Sequence, residues 1–252
     1  MSGELHISAN PVVLRLVRAL QTLVQQVPTT EFAVIGGLAV MVRLQGAHRV
    51  TDDLDTVATQ HGDDPTRVEI VTGIEGAVEG TKVDCIAVGD VPAAELHGAE
   101  LPDDELDRAF ILSHRWALDS AENRILRADD LELSATVDCR FASAAALVVM
   151  KLQSSPRRKG DRSYKAGGDL FDIFRLISNP ELTRAIAVSL HTAPHDLGSW
   201  CAASVAGSFV DQSDRSAAAI ARSGVAGARS PTSAELRRAG ELLVHWFEDT
   251  PP

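Results

Sequence analysis

Two pieces of one stretch decide the reading of this chain: Val34-Ile-Gly-Gly-Leu-Ala39 and, after it, Arg49-Val-Thr-Asp-Asp-Leu-Asp55. Phe32 to Ile35 is a short apolar run that meets Gly36-Gly37, and Leu38 to Leu44 then repeats apolar residues at helical spacing. The pattern predicts strand, tight turn and helix in immediate succession. Val50 to Ala58 is a weaker strand, with Thr51, Asp53, Asp55 and Val57 on one face and Asp52 spoiling a clean alternation. On that strand Asp53 and Asp55 project from the same side, about 7 Å apart.

Two carboxylates on one face repel, and a hard divalent cation held by oxygen ligands relieves the repulsion. A third acid, Asp84, interrupts the apolar run Lys82 to Val88, itself a strand candidate. If the two strands are neighbours, three carboxylates converge on one or two Mg²⁺ ions, as in-line phosphoryl or nucleotidyl transfer requires. The free N–H groups at the start of the helix after Gly36-Gly37 suit a triphosphate, and glycine permits close approach of a phosphate to the backbone. Taken singly, the Asp-x-Asp is also a solvated loop, the diglycine a turn and Asp84 a strand-end residue. Their order in the chain makes the combination specific.

Working outward, Pro11 to Val27 reads as an amphipathic helix carrying Val13, Leu16, Val17, Leu20 and Val24. Val68 to Thr72, Arg115 to Ala121 and Leu131 to Cys139 are further strand candidates, and His61 to Pro65 and Gly89 to Asp107 read as loops. From Phe141 onward the segments are Ala-rich with helical spacing, which places a domain boundary near residue 140. Gly207 to Pro231, rich in Ala, Ser and Gly, is expected to pack loosely. The expected architecture is α+β: a mixed-sheet catalytic domain over 1–140 and a helical domain over 141–252.

Composition bounds the function. The chain has 252 residues, 45% of them apolar, which suffices for one substantial core or two small ones. With 24 Lys plus Arg against 35 Asp plus Glu, its formal charge is -11, which argues against a protein that coats nucleic acid non-specifically. No run approaches the roughly 18 apolar residues of a membrane span, and the first residues lack a signal-peptide pattern, so a soluble, cytoplasmic protein is expected. Cys85, Cys139 and Cys201 stand far apart and are expected as free thiols. His191 and His195 have the spacing of paired zinc ligands, but Pro194 argues against the helix that would present them, and all eight histidines read as structural.

In this order of motifs the chain resembles the polymerase-beta-like nucleotidyltransferase superfamily, and within it the AbiEii-type nucleotidyltransferase toxins of abortive-infection and toxin-antitoxin systems, from about Phe32 to Leu176. The resemblance implies that Gly36 and Gly37 hold nucleotide phosphates, that Asp53, Asp55 and Asp84 bind metal, and that Arg49 and Thr51 form the lead-in to the acidic strand. It further implies a lysine in an apolar helix, Lys151, followed by basic residues and an Asp-x-x-Asp, Asp169 to Asp172.

Lys151 then acts as a cation directed at the nucleotide phosphates, with Asp169 and Asp172, which share a helix face, holding it through a charge-assisted bond; the alternatives are a snorkelling surface lysine and helix-capping acids. The implied reaction uses Mg²⁺ and a nucleoside triphosphate such as ATP and transfers a nucleoside monophosphate to an acceptor hydroxyl, while Asp84 positions or deprotonates that hydroxyl. From Lys151 to Lys165 stand six basic residues and one acid, Asp161, the footprint expected for a phosphate backbone or simply a solvated basic loop. The resemblance favours RNA, at the 3′ end of tRNA, as acceptor and an antitoxin as protein partner. An antibiotic-modifying nucleotidyltransferase and an inert nucleotide-binding regulator are the alternatives.

Overall fold

The computed structural model describes residues 4–7, 10–26, 32–46, 48–49, 51, 53–59, 81–98, 101–130, 132–158, 163–225 and 229–249. The fold is α+β, with a mixed six-stranded sheet in the N-terminal half and helices in the C-terminal half. It divides into two units, the first comprising Met1–Pro92 and Ala117–Ser143, the second Ala93–Trp116 and Ala144–Pro252. The chain thus passes finally into the helical unit at Ser143–Ala144, and the Gly89 to Asp107 excursion largely groups with that unit.

In the first unit the strands are β1 (Glu4–Ile7), β2 (Phe32–Val34), β3 (Asp53–Thr59), β4 (Lys82–Val88), β5 (Glu122–Asp129) and β6 (Ser134–Phe141), in the spatial order β1-β5-β6-β2-β3-β4. Parallel pairs (β1 with β5, β6 with β2, β3 with β4) alternate with antiparallel ones. Helix α1 (Pro11–Gln26) has proline at its first position, where no donor is lost, and the Asn10 side chain accepts from Val13 N at 3.1 Å. Its buried stripe of Val13, Leu16, Val17, Leu20 and Leu23 packs on β5 and β6.

Helix α2 (Gly36–Leu44) leaves β2 after a single residue. Arg43 in its last turn fastens it to the end of β6, donating from Nε to Ala142 O at 2.7 Å and from Nη2 to Phe141 O at 2.6 Å. Arg43 also pairs with Glu122 at 2.7 Å, and this bond holds the Glu122 carboxyl below its ordinary pKa. The helix that follows the diglycine is thus fastened at its far end to β6.

In the second unit, helix α3 (Glu105–Asp119) begins in the excursion, with its last residues in the first unit, and is followed by α4 (Ala144–Ser154), α5 (Ser163–Ile177), α6 (Pro180–His191), α7 (Leu197–Val205), α8 (Ser213–Ser223) and α9 (Ser233–Asp249). Residues Ala144 to Gln153 of α4 are all buried, as befits a helix apolar on every face, and α5, α6 and α7 pack around it.

Two sequence expectations are corrected. Arg115 to Ala121 is not a strand: it closes α3, whose buried Ala109, Leu112, Trp116 and Ala117 recur at helical spacing, and Asp104 Oδ1 accepts from Asp107 N at 2.9 Å at its start. Nor does the described part of the Gly207 to Pro231 stretch pack loosely, for it seats buried Phe209, Ser213, Ser216 and Ile220. Phe209 is fully buried, and Gly167 of α5 lies so close to α8 that a Cβ there would stand 2.7 Å from Ser223 Cβ. Small residues here permit close helix approach. The Val68 to Thr72 candidate lies outside the described residues, and no helix among those described is long and apolar enough to cross a membrane.

Candidate metal centre

Register builds the acidic cluster. In the antiparallel β2–β3 pair Val34 stands opposite Thr56, and Ile35 N donates to Asp55 O at 2.9 Å, so the residue after Ile35 meets the Asp55 side chain. That residue is Gly36, with φ of +69°. A Cβ there would collide with the Asp55 carboxylate, standing 2.8 Å from its Cγ. A Cβ on Gly37 would stand 2.9 Å from both Cβ and Oγ1 of Thr51. The diglycine is thus dictated by the chain's own Thr51 and Asp55, which fill the space beside its Cα atoms.

The parallel β3–β4 pair then sets Asp55 opposite Asp84 and Asp53 opposite Lys82. Since alternate residues share a face, all four side chains lie on one side of the sheet. The carboxylates of Asp53, Asp55 and Asp84 offer ligand oxygens that lie within 4.8 Å of one another, and the three residues are half-buried. Among the described residues this is the one such group of histidine, cysteine or acidic side chains. Thr51, itself buried, donates its hydroxyl to Asp53 Oδ1 at 2.9 Å and so fixes that carboxylate from behind. Lys82 ion-pairs with Asp84. Arg49 lies two residues before Thr51 and is half-buried.

The residues fit a hard divalent cation. All donors are carboxylate oxygens, and two oxygens bound to one Mg²⁺ stand at most about 4.2 Å apart, close to the spacing already present. Asp55 is seated where only glycine leaves it room. Zinc is not favoured, because neither histidine nor cysteine joins the set.

The helical unit gathers the other residues singled out by sequence into a separate cluster. Lys151 of α4 is not a snorkelling surface residue: its side chain is 8% exposed, and its ammonium stands 2.6 Å from Asp172 and 3.3 Å from Asp169. Both aspartates sit in the interior of α5 and cap nothing. Asp169 also accepts from Ser154 Oγ at 3.1 Å and ion-pairs with Arg158. Two cations thus face two buried anions.

Of the remaining basic residues near Lys151, Arg157 pairs with Asp107 and Lys165 is exposed, while Lys159 and Arg162 lie outside the described residues. The basic segment is therefore more neutralised than its composition suggests. Among the described residues the histidines hold no common site: His114 is buried against Phe110 O at 2.7 Å, His191 stacks on Phe247, and His195, past the end of α6, meets Ala93 O at 3.2 Å. The three cysteines are free thiols.

Two contributors escaped sequence reading. Ser154 stands three residues after Lys151, on the same face of α4. Lys82 stands two residues before Asp84, and strand period alone puts it beside the acid. Comparison with protein-family models, with curated proteins and with solved structures gives no match.

Proposed function

We propose that the chain is a metal-dependent nucleotidyltransferase of the AbiEii-type toxin family, moving a nucleoside monophosphate from a nucleoside triphosphate to an RNA hydroxyl at the 3′ end of tRNA. The observation that carries the reading is the convergence of Asp53, Asp55 and Asp84 on one face of β3 and β4, directly beside the start of α2 at Gly36.

Asp53 and Asp55 would hold Mg²⁺, which when bound supplies Lewis-acid stabilisation of the triphosphate. The Thr51 hydroxyl keeps the Asp53 carboxylate in one orientation, and Gly36 leaves room for that of Asp55. Asp84, on the edge strand β4, would orient the acceptor hydroxyl or take its proton. Free backbone N–H groups at the start of α2 favour an anion. The order of motifs from Gly36 through Asp172 supports the family reading, and the family resemblance is the support for tRNA and for an antitoxin partner.

The test is transfer of each labelled triphosphate to total RNA with Mg²⁺, with chelator, and with Asp53→Asn or Asp55→Asn. Label should appear on tRNA, vanish on chelation, and fall at least about 100-fold in either variant. Labelling of an aminoglycoside but no RNA would move the protein to the small-molecule class. Triphosphate binding without turnover would make it a regulatory module.

A further inference from the structure

Lys82 is placed by the β3–β4 register opposite Asp53 and, by strand period, beside Asp84, whose carboxylate it engages. Its side chain is 54% exposed and that of Asp84 48%, so the ammonium rests on the cluster from the solvent side by a flexible stem. The three acids have different settings: Asp53 accepts from the Thr51 hydroxyl, Asp55 is packed on Gly36, and Asp84 is paired with half-exposed Lys82.

We infer that Lys82 is a resident counter-ion of the metal centre, which an incoming divalent cation must displace from Asp84. This rests on the metal-site reading above and extends it to the regulation of metal affinity. The lysine offsets repulsion among three carboxylates before metal binds and competes with the ion afterwards. It is a positioning residue that acts through Asp84. Metal affinity is therefore lower than the three acids alone would give, which ties the completed site to conditions that draw the ammonium away.

The test is calorimetric titration of the full chain with Mn²⁺ alone, without nucleotide, on wild type, Lys82→Met, Lys82→Arg, Asp84→Asn and the Lys82→Met/Asp84→Asn double variant, each checked for native circular dichroism. Lys82→Met should bind Mn²⁺ about two- to fivefold more tightly, the range set by a half-exposed ion pair. Lys82→Arg should stay near wild type. Asp84→Asn should bind more weakly, and adding Lys82→Met to it should bring little further gain.

An unchanged affinity in Lys82→Met, or an equal gain with and without Asp84, would overturn the inference, the second result because it marks general electrostatics. Should wild type bind no Mn²⁺, binding that emerges in Lys82→Met still supports the inference, and none in either protein ends it together with the metal reading. A protein that behaves as expected in these titrations yet transfers no nucleotide would sink the proposed reaction and leave the role of Lys82 standing.

Discussion

The sheet unit and the helical unit each hold a cluster of aspartates with basic partners, and the two are built on opposite terms. On β3 and β4 the carboxylates of Asp53, Asp55 and Asp84 converge in half-exposed surroundings, with Lys82 paired to Asp84. Between α4 and α5 the side chains of Lys151, Asp169 and Asp172 are 8%, 4% and 0% exposed, and Arg158 completes the charge balance. A buried cluster must be neutral to fold, because an unpaired charge there is strongly destabilising. A half-exposed one is under no such constraint, because water screens its charges. Burial therefore ties the second cluster to the packing of its unit, and partial exposure leaves the first accessible from solvent.

The largest expected effect tests that second role. Lys151→Met leaves two buried aspartates with one guanidinium, and should cost about 3–5 kcal/mol of stability in chemical denaturation. Adding Asp172→Leu should recover much of the loss, since a buried pair replaced whole by apolar groups is often tolerated. A Lys151→Met protein as stable as wild type, but inactive in transfer at saturating triphosphate, would reassign the lysine from architecture to chemistry.

Burial without a counter-charge gives the next effect. His114 is held at a pKa of about 4 by burial, partly opposed by its bond to Phe110 O. The unfolded chain then binds a proton that the folded one refuses between about pH 6.5 and 4, so stability should decline as pH falls through that window, by about 3 kcal/mol in total. Denaturation midpoints at stepped pH, with His114→Gln as the control that loses this dependence, measure it. The same decline in both proteins would exclude His114 as its source.

The exposed cluster should respond in the opposite sense. Asp53→Asn removes one of three repelling carboxylates, so the metal-free protein should melt at the same temperature or slightly higher, within about 1 kcal/mol, while transfer collapses. Marked destabilisation would mean that Asp53 is part of the fold and not reserved for a ligand.

The smallest effect concerns the basic segment. Arg157 is engaged by Asp107, so Arg157→Ala should shift stability by no more than about 1 kcal/mol and alter the salt dependence of RNA transfer little. Lys165→Ala, which removes an exposed charge, should reduce the slope of log rate against log salt by about 1 if that lysine meets a phosphate. Equal slopes for all three proteins would remove this segment from the RNA-binding surface.

Much of this was legible in the chain. Local periodicity determined α1, the strand-turn-helix of Phe32 to Leu44, β4 and the helical character after Phe141, because those segments carry their own apolar pattern. It missed β1 and β5: β1 is only four residues long, and charged Arg124 and Arg127 interrupt the alternation of β5, whose place in the sheet is secured by its neighbours. It mistook the end of α3 for a strand because a window of seven residues hides the helical repeat that starts at Glu105.

For the site, residue types and their order already singled out Asp53, Asp55 and Asp84 as one group, and the structure brings their carboxylates together. Sequence could not say that Gly36 is required by Asp55 and Gly37 by Thr51, that Lys82 sits on the acids, or that Ser154 and Arg158 join Lys151 at Asp169. Each of those facts depends on which strand or helix lies against which. Register and packing partners are set by burial of whole faces across distant segments, and no local spacing in the chain encodes them.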